Sequence, residues 1–104
     1  MGKDIPDFQE DISTAINAEI SEPPLYKVLL HNDDFTTKVF VVEILVAIFN
    51  KTIDAATRLM WYVHRNGTGV CGIYTLEVAE TKIKQVTTLA RESGFPLKLT
   101  IEAE

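Results

Sequence analysis

The 104-residue sequence has one cysteine, no basic excess, and no apolar run approaching the roughly 20 residues that span a bilayer. A single thiol closes no internal disulfide and supplies no zinc-ligand set, so Cys71, near Val70 and Ile73, reads as a buried strand residue. Ten Lys and Arg against fifteen Asp and Glu give a formal charge of −5, which excludes the sequence-wide basic footprint of a nucleic-acid binder. The N-terminus lacks a basic segment followed by an apolar core, so no secretory signal is read and the cytoplasm is the expected compartment. Histidine is scarce too. With only His31 and His64 and no His-Glu-x-x-His spacing, a metal site drawn from Asp33, Asp34 and His64 has no recognised pattern behind it. No cofactor or metal is expected, and a hydrolase would need oxyanion donors for which the Gly67 and Gly69 turn is a weak source.

What is present fits one domain. A chain of this length encloses a single core, and its 46% hydrophobic and 24% charged residues are ordinary for a globular protein. The charge is uneven. Met1 to Glu22 holds six acidic residues against Lys3 alone, so it carries the whole net charge, while the rest balances nine against nine. Residues 1–24, ending in Pro23-Pro24, therefore read as a flexible acidic extension, with a frayed amphipathic helix near Asp11 to Ile20 as the alternative. Residues 25–104 form the folded domain.

Within that domain, Leu25 to His31 reads as a strand in which Val28, Leu30 and Asn32 share one side while Lys27, Leu29 and His31 share the other. That parity makes His31 a bystander to whatever Asn32 does. Val41, Ile44, Leu45 and Ile48 recur at helical spacing over Lys38 to Phe49, with Thr36 or Thr37 as N-cap. Thr52 caps a second helix running through His64, in which Ala55, Leu59, Met60 and Val63 face the core. Asn66 to Gly69 supplies a turn, Val70 to Tyr74 a short strand, and Thr75 the N-cap of a third helix with Ala79, Ile83, Val86 and Ala90 as its buried stripe. Gly94 and Pro96 end that helix before Leu97, Leu99 and Ile101 alternate as a final strand. The order β-α-α-β-α-β predicts an α+β domain, with a three-stranded, largely antiparallel sheet packed against three helices.

The stretch His31-Asn32-Asp33-Asp34-Phe35-Thr36 gathers an amide and two carboxylates at the end of an apolar strand. By itself this is an ordinary turn. Some thirty residues later, however, His64 ends a helical stretch beside Met60 and Val63, and where the two ends meet, acceptors converge next to apolar side chains. Such a set suits a free α-ammonium group, which is cationic near neutral pH and presents several donors. His64 must be neutral to accept from it, so affinity is expected to fall as pH drops through the histidine range.

Taken in order, Asn32-Asp33-Asp34-Phe35-Thr36, the helix Phe40-Val41-Val42, His64 with Gly67, Val70-Cys71-Gly72, and Thr75 with Glu77-Val78-Ala79-Glu80-Thr81-Lys82 closely resemble ClpS. The likeness runs from about Pro23 to Ile101. That family comprises bacterial adaptors that recognise N-terminal degradation signals and pass substrates to the ClpA unfoldase of the ClpAP protease. The resemblance implies that Asn32, Asp33, Asp34 and His64 surround the substrate α-amino group. It also implies a pocket for the first side chain, lined by Leu30, Thr36, Val41, Met60, Val63 and Leu97 with Lys38 at its rim. Family substrates begin with Leu, Phe, Tyr or Trp. Glu77 and Lys82 match the surface that docks the N-terminal domain of ClpA, and the acidic extension matches the segment needed for handover. A non-catalytic monomer is implied, with neither nucleic acid nor membrane as partner. Competing readings are a module of the same fold serving another assembly, as in the C-terminal domain of the ribosomal stalk protein, and a metal-dependent hydrolase. The sequence departs from the family at Thr36-Thr37-Lys38-Val39, where Thr-Pro-Met-Glu is usual. Lys38 replaces a methionine that helps exclude β-branched first residues, so altered discrimination against Ile and Val is expected.

Overall fold

The computed structural model describes residues 22–104, which form β1 (Leu25–His31), α1 (Lys38–Ala47), α2 (Ile53–Asn66), β2 (Thr68–Thr75), α3 (Leu76–Glu92) and β3 (Lys98–Ala103). Residues 1–21 of the expected acidic extension lie outside the described residues. β1 is the central strand in the order β2-β1-β3, and both its pairings are antiparallel, so the sheet is wholly rather than largely so. Alternation along β1 sends Val28 and Leu30 into the core, where both are fully buried with Cys71, Leu97 and Leu99. Ala79, Val86 and Ala90 of α3 cover that face, while α1 packs on α2 and α2 on β2. No helix among the described residues is long and apolar enough to cross a membrane.

Two local differences from the sequence expectation have clear causes. α1 stops at Ala47 because the chain turns through Asn50 at φ 56°, which lets the Lys51 amide return to the Leu45 carbonyl at 3.1 Å. β2 is longer than expected and holds a bulge. Leu29 pairs with Val70 but Val28 pairs with Gly72, so Cys71 is the extra residue, pressed inward, while Val70 and Ile73 face outward and are exposed. Burial pushes the Cys71 thiol up to about 12, against a small opposing effect of Lys51.

The caps follow the sequence with one exception. Thr37 and Thr52 each accept a hydrogen bond from the amide three residues on, at 3.1 Å. Thr75 occupies the cap position of α3, yet its side chain makes no capping bond. At the other end of α3, the Gly94 and Phe95 amides close back on Arg91 and Ala90 in a Schellman pair. Arg91 then donates to the Phe95 carbonyl at 2.6 Å, and the Phe95 ring meets Phe40 of α1 edge-on at 5.0 Å. These contacts fix the segment that carries Leu97.

Candidate functional site

The loop after β1 is shaped by one carboxylate. Asp33 Oδ1 accepts from the Phe35 and Thr36 amides at 2.8 and 2.7 Å, and Oδ2 accepts from the Thr36 hydroxyl at 2.8 Å. Desolvation by burial raises the Asp33 carboxyl, but those bonds, led by the Thr36 hydroxyl, outweigh it and hold the group below its ordinary 3.8. Thr37 follows as the cap, so Lys38 and Val41 at the start of α1 are aimed back toward the end of β1.

The opposite wall comes from α2. Gly67 ends this helix at φ 93°, a conformation that side-chain-bearing residues rarely adopt, and its carbonyl accepts from the Asn32 amide at 2.8 Å. That one bond joins the two segments whose meeting the sequence reading required. Gly69 then lets β2 run close beneath α2, because a Cβ there would lie 2.7 Å from Val63 Cγ2. Val63 is thereby held against the sheet, with Met60 one turn earlier and His64 beside it.

Between these walls lies a cavity of about 140 Å³, lined by Leu30, His31, Asn32, Asp33, Asp34, Thr36, Lys38, Val41, Met60, Val63, His64 and Leu97. Every residue expected around the α-amino group or in the first-residue pocket is therefore brought together. His31 is the one lining residue that strand parity set aside. Its ring lies on the other face, where Nε2 meets Thr100 Oγ1 at 2.7 Å, so the chain rather than the imidazole borders the cavity. Glu77 and Lys82 sit elsewhere, along α3.

The polar rim has distinct parts. Asp33 is engaged within its own loop, whereas among the described residues no side-chain hydrogen bond engages Asn32, Asp34 or His64, all of them exposed. Three unengaged acceptors, Asn32, Asp34 and His64, and the loop-bound Asp33 carboxylate thus border a hollow whose apolar lining is Leu30, Val41, Met60, Val63 and Leu97. The same residues make a poor metal centre: among those described, no three His, Cys, Asp or Glu side chains come together to hold an ion. A volume near that of the roughly 150 Å³ cavity that admits benzene suits a phenyl or isobutyl group.

Sequence reasoning missed two features. Trp61, one helical turn before Arg65, packs edge-on against the His64 imidazole at 5.8 Å and receives Lys38 Nζ over its ring at 5.6 Å and Arg65 Cζ at 6.0 Å. Lys38 and Trp61 are 23 positions apart, so only the position of an aromatic near a helix end hinted at the contact. Lys82, expected on a docking surface, is half-buried: Nζ donates to the Ile48 carbonyl at 2.6 Å and lies 5.3 and 5.8 Å from the Tyr74 and Phe49 ring centres.

Comparison with known proteins identifies relatives of this chain. Residues 21–100 match the family model described as ATP-dependent Clp protease adaptor protein ClpS. Relatives named ATP-dependent Clp protease adapter protein ClpS include one from Desulforapulum autotrophicum, 48% identical over 99 residues and 95% of each chain. Another, from Nitratidesulfovibrio vulgaris, is 51% identical over 98 residues, 94% of this chain and 98% of the relative. Among solved structures, Agrobacterium tumefaciens ClpS2 bound to L-phenylalaninamide superposes with a TM-score of 0.77 at 44% identity, covering 80% of this chain and all of that one. This chain belongs to the ClpS family of ATP-dependent Clp protease adaptors.

Proposed function

We propose that this chain is a non-catalytic cytoplasmic adaptor that captures proteins by a free N-terminus bearing Leu, Phe, Tyr or Trp and delivers them to the ClpA unfoldase. The observation that carries this reading is the 140 Å³ cavity that sets Leu30, Val41, Met60, Val63 and Leu97 beside Asn32, Asp34 and His64, whose side chains are unengaged. The first side chain enters between Leu30, Val41, Met60, Val63 and Leu97. Its ammonium stays at the rim, where it donates hydrogen bonds to Asn32, Asp34 and His64, and Asp33 adds charge from within the loop. The likeness to a relative bound to L-phenylalaninamide, which joins a free amine to a benzyl group, supports this placement.

Delivery uses a different surface. Glu77 is exposed in a shallow hollow on α3 with Val78, Glu80, Thr81, Lys82 and Gln85, none of which lines the cavity, so a substrate and the N-terminal domain of ClpA can be held together by one monomer. The acidic segment 1–24 takes part in handover.

Burying a Leu or Phe side chain contributes about 1.5–3 kcal/mol, and each hydrogen bond to a charged group about 1.5–3 kcal/mol. After the cost of association, roughly micromolar binding results. A Leu-initiated peptide titrated by fluorescence anisotropy, free and N-acetylated, tests the site. Acetylation removes the cation and should weaken binding roughly ten- to hundredfold; equal affinities would reject the assignment.

A further inference from the structure

The cavity mouth carries opposite charges on its two sides. Asp33 and Asp34 stand at one side, in the loop after β1. At the other, the Trp61 ring gathers the Lys38 ammonium and the Arg65 guanidinium, both exposed, and among the described residues neither cation is held by a carboxylate. Indole is the aromatic that best attracts cations over its face, so these contacts favour positions of both charges beside the ring. They also answer how a lysine borders a pocket for an ammonium group. Its stem lines the cavity while its charge is drawn outward onto the ring. Lys38 is moreover the first residue of α1, whose opening turn contains no acidic residue, so the positive end of the helix dipole adds to the same side.

We propose that Lys38 and Arg65, seated on Trp61, form a positively charged sill that selects N-termini whose second or third residue is acidic. This inference rests on the adaptor reading, because it needs the first residue to be in the cavity with its amine near His64. From there the geometry is short. The Trp61 ring centre is 5.8 Å from that of His64 and 5.6 Å from the Lys38 ammonium. Successive Cα atoms are about 3.8 Å apart, so the side chains of the second and third residues pass over the sill as the chain leaves the pocket. An Asp or Glu carboxylate there meets two cations, while a Lys or Arg is repelled. The preferred ligand is a dipolar N-terminus: ammonium first, a large apolar side chain, then a carboxylate.

The test measures the affinity of the full chain for peptides beginning Leu-Gln, Leu-Glu and Leu-Lys at low ionic strength, repeated with Arg65→Gln and Trp61→Leu. Leu-Glu should bind about three- to tenfold more tightly than Leu-Lys, the range for one or two solvent-screened charge pairs. Added salt should shrink the difference. Arg65→Gln should reduce the preference and leave Leu-Gln affinity unchanged, since Arg65 does not line the cavity. Trp61→Leu should reduce it by releasing both cations, with circular dichroism confirming the fold; if this variant is unfolded, Arg65→Gln decides alone. Tight Leu-Gln binding with equal affinities for Leu-Glu and Leu-Lys would overturn the sill and leave the adaptor reading standing. A preference unchanged in both folded variants would also overturn it. Failure of all three peptides to bind would instead refute the adaptor reading, and the sill with it.

Discussion

Lys82 sits where two roles compete, and replacing it with methionine separates them. Lys82→Met keeps the methylene stem over Phe49 and Tyr74 and removes only the ammonium. The lost contact is a 2.6 Å bond to the Ile48 carbonyl, one of the acceptors that the end of α1 leaves without a helical partner. A hydrogen bond to a charged group contributes about 1.5–3 kcal/mol, and cation–π attraction at a half-exposed site about 0.5–1 kcal/mol. The helix-dipole effect is the same interaction seen through the Ile48 carbonyl, so it is not added. A loss of about 2–4 kcal/mol follows, which for a folded part of this size lowers the melting temperature by about 10–30 °C. Thermal melting and urea titration, each followed by circular dichroism, would measure it, with Lys82→Arg as the charge-preserving control. A melting temperature within about 2 °C of the parent would refute the reasoning and return Lys82 to the solvent. The outcome also decides how docking experiments are read, because a Lys82 variant that fails to deliver substrate is informative only at a temperature where it is folded.

Three further outcomes follow from the site and core. Val41→Phe should fill much of the 140 Å³ cavity and weaken Phe- and Leu-initiated peptides at least tenfold with little change in melting temperature; unchanged affinity in a titration would place the first side chain elsewhere. Because the folded-state value of Asp33 lies below 3.8, its bonds contribute stability that is complete above the unfolded carboxylate range and is lost as pH falls through the folded value. The Phe35 and Thr36 amide signals should therefore titrate together with a midpoint below 3.8, and a midpoint at or above it would contradict the loop described here. Cys71, with its thiol pushed up to about 12, should resist an aromatic disulfide reagent at pH 8 until urea unfolds the domain; rapid labelling of native protein would refute its burial.

Much of this domain is written locally in its sequence. The alternation of β1, the threonine caps and the stripe on α3 are short-range signals, and each element they mark is present within a few residues of its expected bounds. The cavity was readable for a similar reason: Asn32 to Asp34 and Met60 to His64 stand at element ends, and ends are where antiparallel connections bring chain segments together. What escaped depends on distance in sequence. Lys82 reaches Ile48 across 34 positions, and Lys38 and Arg65 converge on Trp61 from different helices, contacts that periodicity cannot reveal. The bulge at Cys71 was hidden because Val70 and Ile73 have the composition of buried residues while facing solvent. Asp33 was legible as a turn residue and as an acceptor, but only the loop geometry shows how its oxygens are divided.

The bond from the Asn32 amide to the Gly67 carbonyl has an evolutionary corollary. Both atoms belong to the main chain, so the span between the two halves of the receptor is independent of the side chain at position 32. Every residue but proline at that position can preserve the join, and the walls can be repainted around a frame of constant width. Diversification of this receptor should therefore proceed by exchange of guests at Lys38, Val41 or Met60, whereas Gly67, whose backbone angle sets the direction of that carbonyl, is the position where change would unhinge the frame itself.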